Sequence, residues 1–222
     1  MRRRHVLALL AAAAAAPGSA LADDAKQPLT KAFAFLDAYL GLPAAQRSRF
    51  YLAYRATRDK RPVSGVQAAI VAPGGARTPV AFDGAGRVTH LPSLAELKSG
   101  ASFEPVGAPF KLGLELRYAG AASAHIDPAE LIAALAQTNA AIAKLAGVMA
   151  AVVPKLTTAF FPDSGGGQAV LADGRTAPLL VFAAPMVGMV PYFEPAAAVG
   201  AKAVLLTRAP SRILLGSHPK KA

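Results

Sequence analysis

Between Asp127 and Pro154 the chain keeps one helical period, and no other stretch constrains its fold as strongly. Leu131, Leu135, Thr138, Ile142, Leu145, Met149 and Val152 recur at alternating spacings of four and three. That spacing draws a single apolar stripe along a helix. Asp127 is a good N-cap, Pro128 suits the first helical position, Glu130 completes a capping-box-like start, and Pro154 stops the pattern. Such a helix spans roughly 39 Å at the usual rise, about the width of a small domain. The face opposite the stripe is mostly Ala, with Gln137, Asn139 and Lys144 as its polar residues. We expect another element to cover that face, the alternative being self-association through it.

On both sides of this helix the period changes to two. Before it, Phe50 to Arg58, Val66 to Ala72, Thr78 to Phe82, Arg87 to Leu91 and Phe110 to Tyr118 read as strands, with a weaker one at Ser102 to Glu104. In Phe110 to Tyr118 every second residue is apolar, which predicts one buried and one wet face. Pro73-Gly74-Gly75 and Asp83-Gly84-Ala85-Gly86 mark turns, and Leu94 to Lys98 a single helical turn. After the helix, Leu156 to Phe161, Gln168 to Ala172, Thr176 to Ala183, Pro191 to Glu194, Lys202 to Thr207 and Arg212 to Leu215 continue the β pattern. At the front, Lys26 to Leu40 reads as a first helix closed by Gly41 and Pro43.

The expected fold is therefore α+β: an antiparallel β-sandwich-like half, a long central helix packed on a sheet, and a second β-rich half. A β-rich subdomain over 44–120 and a helix-plus-β subdomain over 121–215 are expected, with 216–222 as a flexible basic tail. Ala69 to Phe82 and Ala169 to Phe182 look alike, each running strand, glycine turn, Arg-Thr, Pro, strand. Shared hairpin chemistry accounts for that likeness without duplication.

The first 22 residues read as a cleavable export signal and leave the fold argument. Arg2, Arg3 and Arg4 supply the charged start, Val6 to Ala16 a short apolar core, and Ala20-Leu21-Ala22 a small-x-small cleavage site before Asp23. The apolar core falls well short of the roughly 20 residues that span a bilayer, so no transmembrane anchor is expected. Arg3-Arg4-His5-Val6-Leu7 resembles a twin-arginine signal, and a general secretory signal fits equally well. A periplasmic location follows from either. The chain has no cysteine, so neither disulfides nor thiolate chemistry is available to it. Removing the three signal arginines from 24 basic residues leaves 21 against 13 acidic ones, a net charge of +8. Such a charge attracts anionic surfaces, and in that compartment these are lipid headgroups or envelope polymers rather than nucleic acid.

Chemistry-bearing motifs are scarce. Asp163-Ser164-Gly165-Gly166 resembles the nucleophile loop of chymotrypsin-like serine proteases, and His90, Asp127 and Ser164 follow that family's chain order. The resemblance covers four consecutive residues. It fails two positions before the serine, where Pro162 has no N–H to offer an oxyanion hole. The histidines at 5, 90, 125 and 218 show no metal-ligand spacing, and no pair of carboxylates stands out as acid and base. No metal, cofactor or catalytic residue is expected.

Two candidate binding features remain. Arg47, Arg49, Arg55, Arg58, Lys60 and Arg61 gather six positive charges against Asp59 alone. Met186, Met189 and Tyr192 belong to an apolar, proline-broken stretch over Ala183 to Phe193 that suits the lining of an apolar site. The expected function is that of an exported, non-enzymatic binding or structural protein, with an anionic envelope lipid or polymer, or an apolar small ligand, as partner. The alternatives are a hydrolase using Ser164 or His90 in an arrangement hidden from sequence, and a protein that self-associates through the Ala face.

Overall fold

A computed structural model describes residues 26–146, 153–184 and 188–217. The expected signal over 1–22, Met186 and the tail beyond Ser217 lie outside the described residues. The chain is α+β with antiparallel sheets, and it divides into two compact units. The first takes in residues up to Pro43 together with Leu52–Glu115, and the second takes in Ala44–Tyr51 and everything from Leu116.

In the first unit, β1 (Gln27–Pro28) leads into two short helices, α1 (Leu29–Ala32) and α2 (Leu36–Leu40). Then come β2 (Phe50–Arg58), β3 (Arg61–Pro62), β4 (Gln67–Val71), β5 (Arg77–Pro79), α3 (Leu94–Lys98), β6 (Ser102–Val106) and β7 (Lys111–Tyr118). One sheet runs β1-β6-β4-β5, and β2 lies between β3 and β7. In the second unit, β8 (His125–Ile126) leads into α4 (Pro128–Ala146). It is followed by β9 (Thr158–Phe160), β10 (Gly167–Val170), β11 (Thr176–Pro178), β12 (Leu180–Ala184), β13 (Gly188–Phe193), β14 (Ala203–Leu206) and β15 (Leu214–Gly216). One sheet runs β8-β14-β10-β11, and another runs β12-β13-β9-β15.

These two descriptions repeat one another. A two-residue strand enters a helical segment, a strand follows, then a hairpin, a strand and a last strand. Val71 stands opposite Arg77 on one side and Ser102 on the other in the first unit, and Val170 stands opposite Thr176 and Ala203 in the second. The hairpins share their turn. Ala72 N–H donates to Ala76 and Gly75 N–H to Ala72, while Leu171 N–H donates to Arg175 and Gly174 N–H to Leu171. Gly75 and Gly174 both take the left-handed conformation, at φ of 86° and 83°. Hairpin chemistry alone is therefore too narrow an account of the likeness between 69–82 and 169–182, because it extends to the order and register of the whole unit.

The first helix departs from its expectation. It is broken between Ala32 and Leu36, and Phe35 sits at φ 68°, a conformation costly for an aromatic residue. The cause is tertiary. Tyr54 of β2 donates its hydroxyl to the carbonyl of Ala34 at 2.7 Å, so that carbonyl is taken from the helical ladder. Burial, with the nearby charge of Asp37, pushes the Tyr54 hydroxyl well above its ordinary pKa, so it remains a donor. Around it Phe33, Phe103 and Phe110 meet edge to face, with centroids 5.1 Å apart for Phe33–Tyr54, 6.0 Å for Phe33–Phe103 and 5.9 Å for Phe103–Phe110.

The long helix keeps most of its stripe. Leu131, Leu135 and Thr138 are buried, joined by Ala134 and Ala141. Leu145 is 44% exposed, so the buried face turns away from the expected line in the last described turn. Met149 and Val152 lie outside the described residues. The segment before β2 covers one flank of the helix. Gln137 accepts from Arg49 N–H at 2.8 Å and donates to the Ala45 carbonyl at 2.8 Å, and Lys144 donates to Gln46 at 3.0 Å. Asn139 binds both backbone groups of Leu156, at 2.8 and 2.9 Å, and so joins the helix to the approach of β9. Ala136, Ala140 and Ala143 stay exposed.

β7 corrects another expectation. Its alternating leucines are half-buried, and the one buried position on the strand is Arg117, at 8% exposure. Thr78 to Phe82 shortens to Arg77–Pro79, and Arg87 to Leu91 reduces to isolated bridges, Arg55 with Arg87 and Phe82 with Val88. Thr176 to Ala183 divides at Leu179 into β11 and β12.

Candidate functional site

The basic cluster divides between the units. Arg47 and Arg49 belong to the second, and Arg55, Arg58 and Arg61 to the first. Arg49 forms an ion pair with Glu130 while its backbone N–H binds Gln137, so it fastens the start of α4. Arg47 is half-buried. Arg49 thus serves the second unit as a clamp.

Arg58 and Arg61 flank one turn. β2 and β3 are joined by Asp59 and Lys60 alone, with Arg58 opposite Arg61. Both loop residues take positive φ, 50° and 64°, the signature of a type I′ turn built without glycine. The turn holds Arg58, Lys60 and Arg61 together at the end of a nine-residue strand. Arg58 donates Nε to Pro109 at 3.0 Å and Nη2 to Ala108 at 3.3 Å, which fixes the guanidinium and leaves part of its five-donor fork for another partner. Beside it opens a polar groove of about 520 Å³, lined by Arg58, Pro62, Ser64, Gly65, Val106 and Ala108. The side chains of Lys60 and Arg61 make no hydrogen bond or ion pair among the described residues.

A second turn supports this end of the unit. Arg55 donates to Ala85 at 3.0 Å, and the Asp83 carboxylate accepts from the N–H groups of Ala85 and Arg87 at 2.9 and 2.8 Å. Partial burial raises the Asp83 pKa, but these two backbone bonds and the charges of Arg87 and Arg55 outweigh it and hold the carboxyl below its ordinary range. Gly86 closes the turn at φ 73°, and a Cβ there would lie 1.9 Å from the Val63 carbonyl, so no other residue fits. The Asp83-to-Gly86 motif, expected as a turn, is thus also a backbone support under the groove-lining segment.

The protease-like loop is bound up in its own fold. Ser164 is fully buried, and its hydroxyl donates to the Phe161 carbonyl at 2.9 Å. Asp163 sits at φ 65° and accepts from Ser211 at 2.5 Å, with Arg212 at 3.9 Å and Arg208 donating to its carbonyl. His90 is exposed and faces Thr89 at 3.2 Å. Among the described residues neither the Ser164 hydroxyl nor the His90 ring is hydrogen-bonded to an ionisable group. No group of three or more metal-ligating His, Cys, Asp or Glu side chains occurs among them either.

Met189 and Tyr192 are brought onto one strand but not to one site. Three positions apart on β13, they point to opposite faces, with Met189 68% exposed and Tyr192 buried. Tyr192 lines a cavity of about 90 Å³ with Leu179, Leu180, Phe193 and Ala197. That is roughly the volume of three waters, where small-molecule sites begin at roughly 300 Å³. Among the described residues no helix is long and apolar enough to cross a membrane.

The chain matches no protein-family model, no curated protein and no solved structure.

Proposed function

We propose that this is an exported, non-enzymatic protein that binds an anionic component of the cell envelope through the β2–β3 end of its first unit. The observation that carries the reading is the type I′ turn holding Arg58, Lys60 and Arg61 beside a polar groove of about 520 Å³. A guanidinium already oriented by two carbonyls loses little freedom on meeting a phosphate or carboxylate, and its fork suits either. The formal net charge of +11, or +8 without the signal arginines, adds long-range attraction. Support for the non-enzymatic part comes from Ser164, whose hydroxyl is committed to a backbone carbonyl inside the fold. The export part rests on Arg2 to Arg4, Val6 to Ala16 and the Ala20-Leu21-Ala22 site.

Co-sedimentation with phosphatidylglycerol-containing vesicles and with lipopolysaccharide, at low and high salt, tests the reading. Binding is expected to fall with salt and with lipid neutralisation. Lys60→Gln and Arg61→Gln are each expected to weaken it by roughly fivefold, the equivalent of about 1 kcal/mol per charge. Indifference to both lipid charge and salt would sink the proposal.

A further inference from the structure

With Leu214 of β15 standing opposite Arg117 of β7, the outer strands of the sheets are β1, β3, β5, β8, β11 and β12, and five of the six are guarded. Pro28 in β1, Pro62 in β3, Pro79 in β5 and Pro178 in β11 each remove a backbone donor, and β8 is only two residues long. Among the described residues β12 is the exception. Its residues Leu-Val-Phe-Ala-Ala contain neither proline nor charge, in a chain of which 17% is charged. Leu180 and Val181 are 46% and 47% exposed, and Met189 of the neighbouring strand is 68% exposed. Natural sheets rarely leave an apolar edge of this kind open unless something pairs with it.

The register shows which backbone groups are open. Pro191 directs its carbonyl to Phe161, toward β9, so Val190 and Tyr192 are the β13 residues that bond to β12. Their partners are Phe182 and Leu180. Val181 and Ala183 therefore present their N–H and C=O groups outward, the same side on which Leu179 N–H already reaches Gly167.

We infer that β12 pairs antiparallel with β12 of a second copy of this chain, about a two-fold axis at Phe182. In that register Val181 faces the partner's Ala183, and each such pair exchanges both N–H···O bonds. The large side chain meets the small one, and Phe182 meets its own counterpart at a non-hydrogen-bonded position, where side chains approach most closely. The strand is complementary to itself, as an isologous interface requires, and it carries no charge to repel its copy in an otherwise basic chain. A lipid interior suits the side chains but would leave the N–H and C=O groups of Val181 and Ala183 without partners. A foreign extended peptide would be selected by pockets for alternate side chains, and the cavity lined by Leu180 and Tyr192 holds only about 90 Å³. One strand pair buries less than the roughly 800 Å² per partner of a standard interface, so the dimer is reversible and depends on concentration.

Sedimentation velocity of the full mature chain is expected to show mass rising toward twice the monomer with concentration. Val181→Lys and Ala183→Pro, both at exposed outward positions, are expected to remain monomeric with an unchanged circular dichroism spectrum. Because the chain has no cysteine, the register has its own readout. Phe182→Cys places two thiols across the axis at a Cα separation of about 4.5 Å, within disulfide range, and is expected to form a covalent dimer under mild oxidation. Leu180→Cys separates them by roughly 13 Å and is expected not to. A wild-type chain that stays monomeric at every concentration, a dimer that survives both edge variants, or equal cross-linking at the two cysteine positions would each overturn the inference.

Discussion

Where the first unit places Phe103, the second places Val204. Each stands on the strand between a hairpin and a two-residue entry strand, and each is fully buried. Around Phe103 the core is a chain of edge-to-face aromatic rings; Val204 stands between Ala169 and Ile126, aliphatic residues on its two neighbouring strands. The helical segments differ in the same sense. The Tyr54 hydroxyl on the Ala34 carbonyl marks the break of the first into two short pieces, whereas α4 runs for 19 residues and buries Leu131, Ala134, Leu135, Thr138 and Ala141. One backbone plan thus tolerates two packing solutions, provided volume and pattern agree within each unit. The pieces added to the plan differ too: a charged type I′ turn in the first unit and an uncharged hairpin, β12–β13, in the second.

Breaking this comparison begins at the paired core positions. Phe103→Ala is expected to cost about 3–5 kcal/mol and Val204→Ala about 2 kcal/mol, read from urea denaturation. If both substitutions shift one common transition, the two units unfold together; if each shifts a separate one, they unfold independently. The next effect in size concerns the helices. Asn139→Ala removes both side-chain bonds to Leu156 and is expected to cost about 2 kcal/mol, since those backbone groups are left without their partner.

A smaller effect is expected at α3, the helix that the first unit alone inserts before its β6. Ser93 and Glu96 form a full capping box, and Ser93→Ala should cost about 1 kcal/mol at neutral pH. The Ser93 N–H and hydroxyl hold Glu96 below the ordinary carboxylate range, with slight burial opposing them. The unfolded chain therefore takes up that proton first. Glu96 contributes its stability above about pH 4.3, the ordinary value, and loses it as pH falls through the lower folded value. The gap between wild type and Ser93→Ala should narrow over that acidic window in urea titrations. Least in size, Lys60→Gly relieves a left-handed non-glycine residue and should raise stability by up to about 1 kcal/mol while weakening vesicle binding. A variant that gains stability and keeps its binding would detach Lys60 from the anionic surface.

Much of this could be read from residue order. The period of α4, its start at Asp127 and Pro128, the strand over Phe50 to Arg58, the capped turn at Leu94 and both glycine hairpins are local patterns, set by side-chain spacing and turn chemistry. The arginines were legible as a cluster. Their separate duties were not, because whether a guanidinium clamps Glu130, Ala85 or Ala108 depends on carbonyls and carboxylates brought near by folding. Met189 and Tyr192 were legible as apolar, yet the two faces of one strand part them.

The sequence by itself determined an α+β chain, basic and free of cysteine, whose longest helix and tightest turns follow from periodicity and glycine. Only folding settled that the first helix breaks at Phe35, that Arg117 rather than a leucine is the buried residue of β7, that the likeness of two hairpins extends to the order of two units, and that β12 is an unguarded edge among the described residues. The physical reason is the same in each case. Periodicity fixes which side of a segment is apolar, whereas a carbonyl's partner, a strand's neighbour and a sheet's last strand are set by residues distant in sequence.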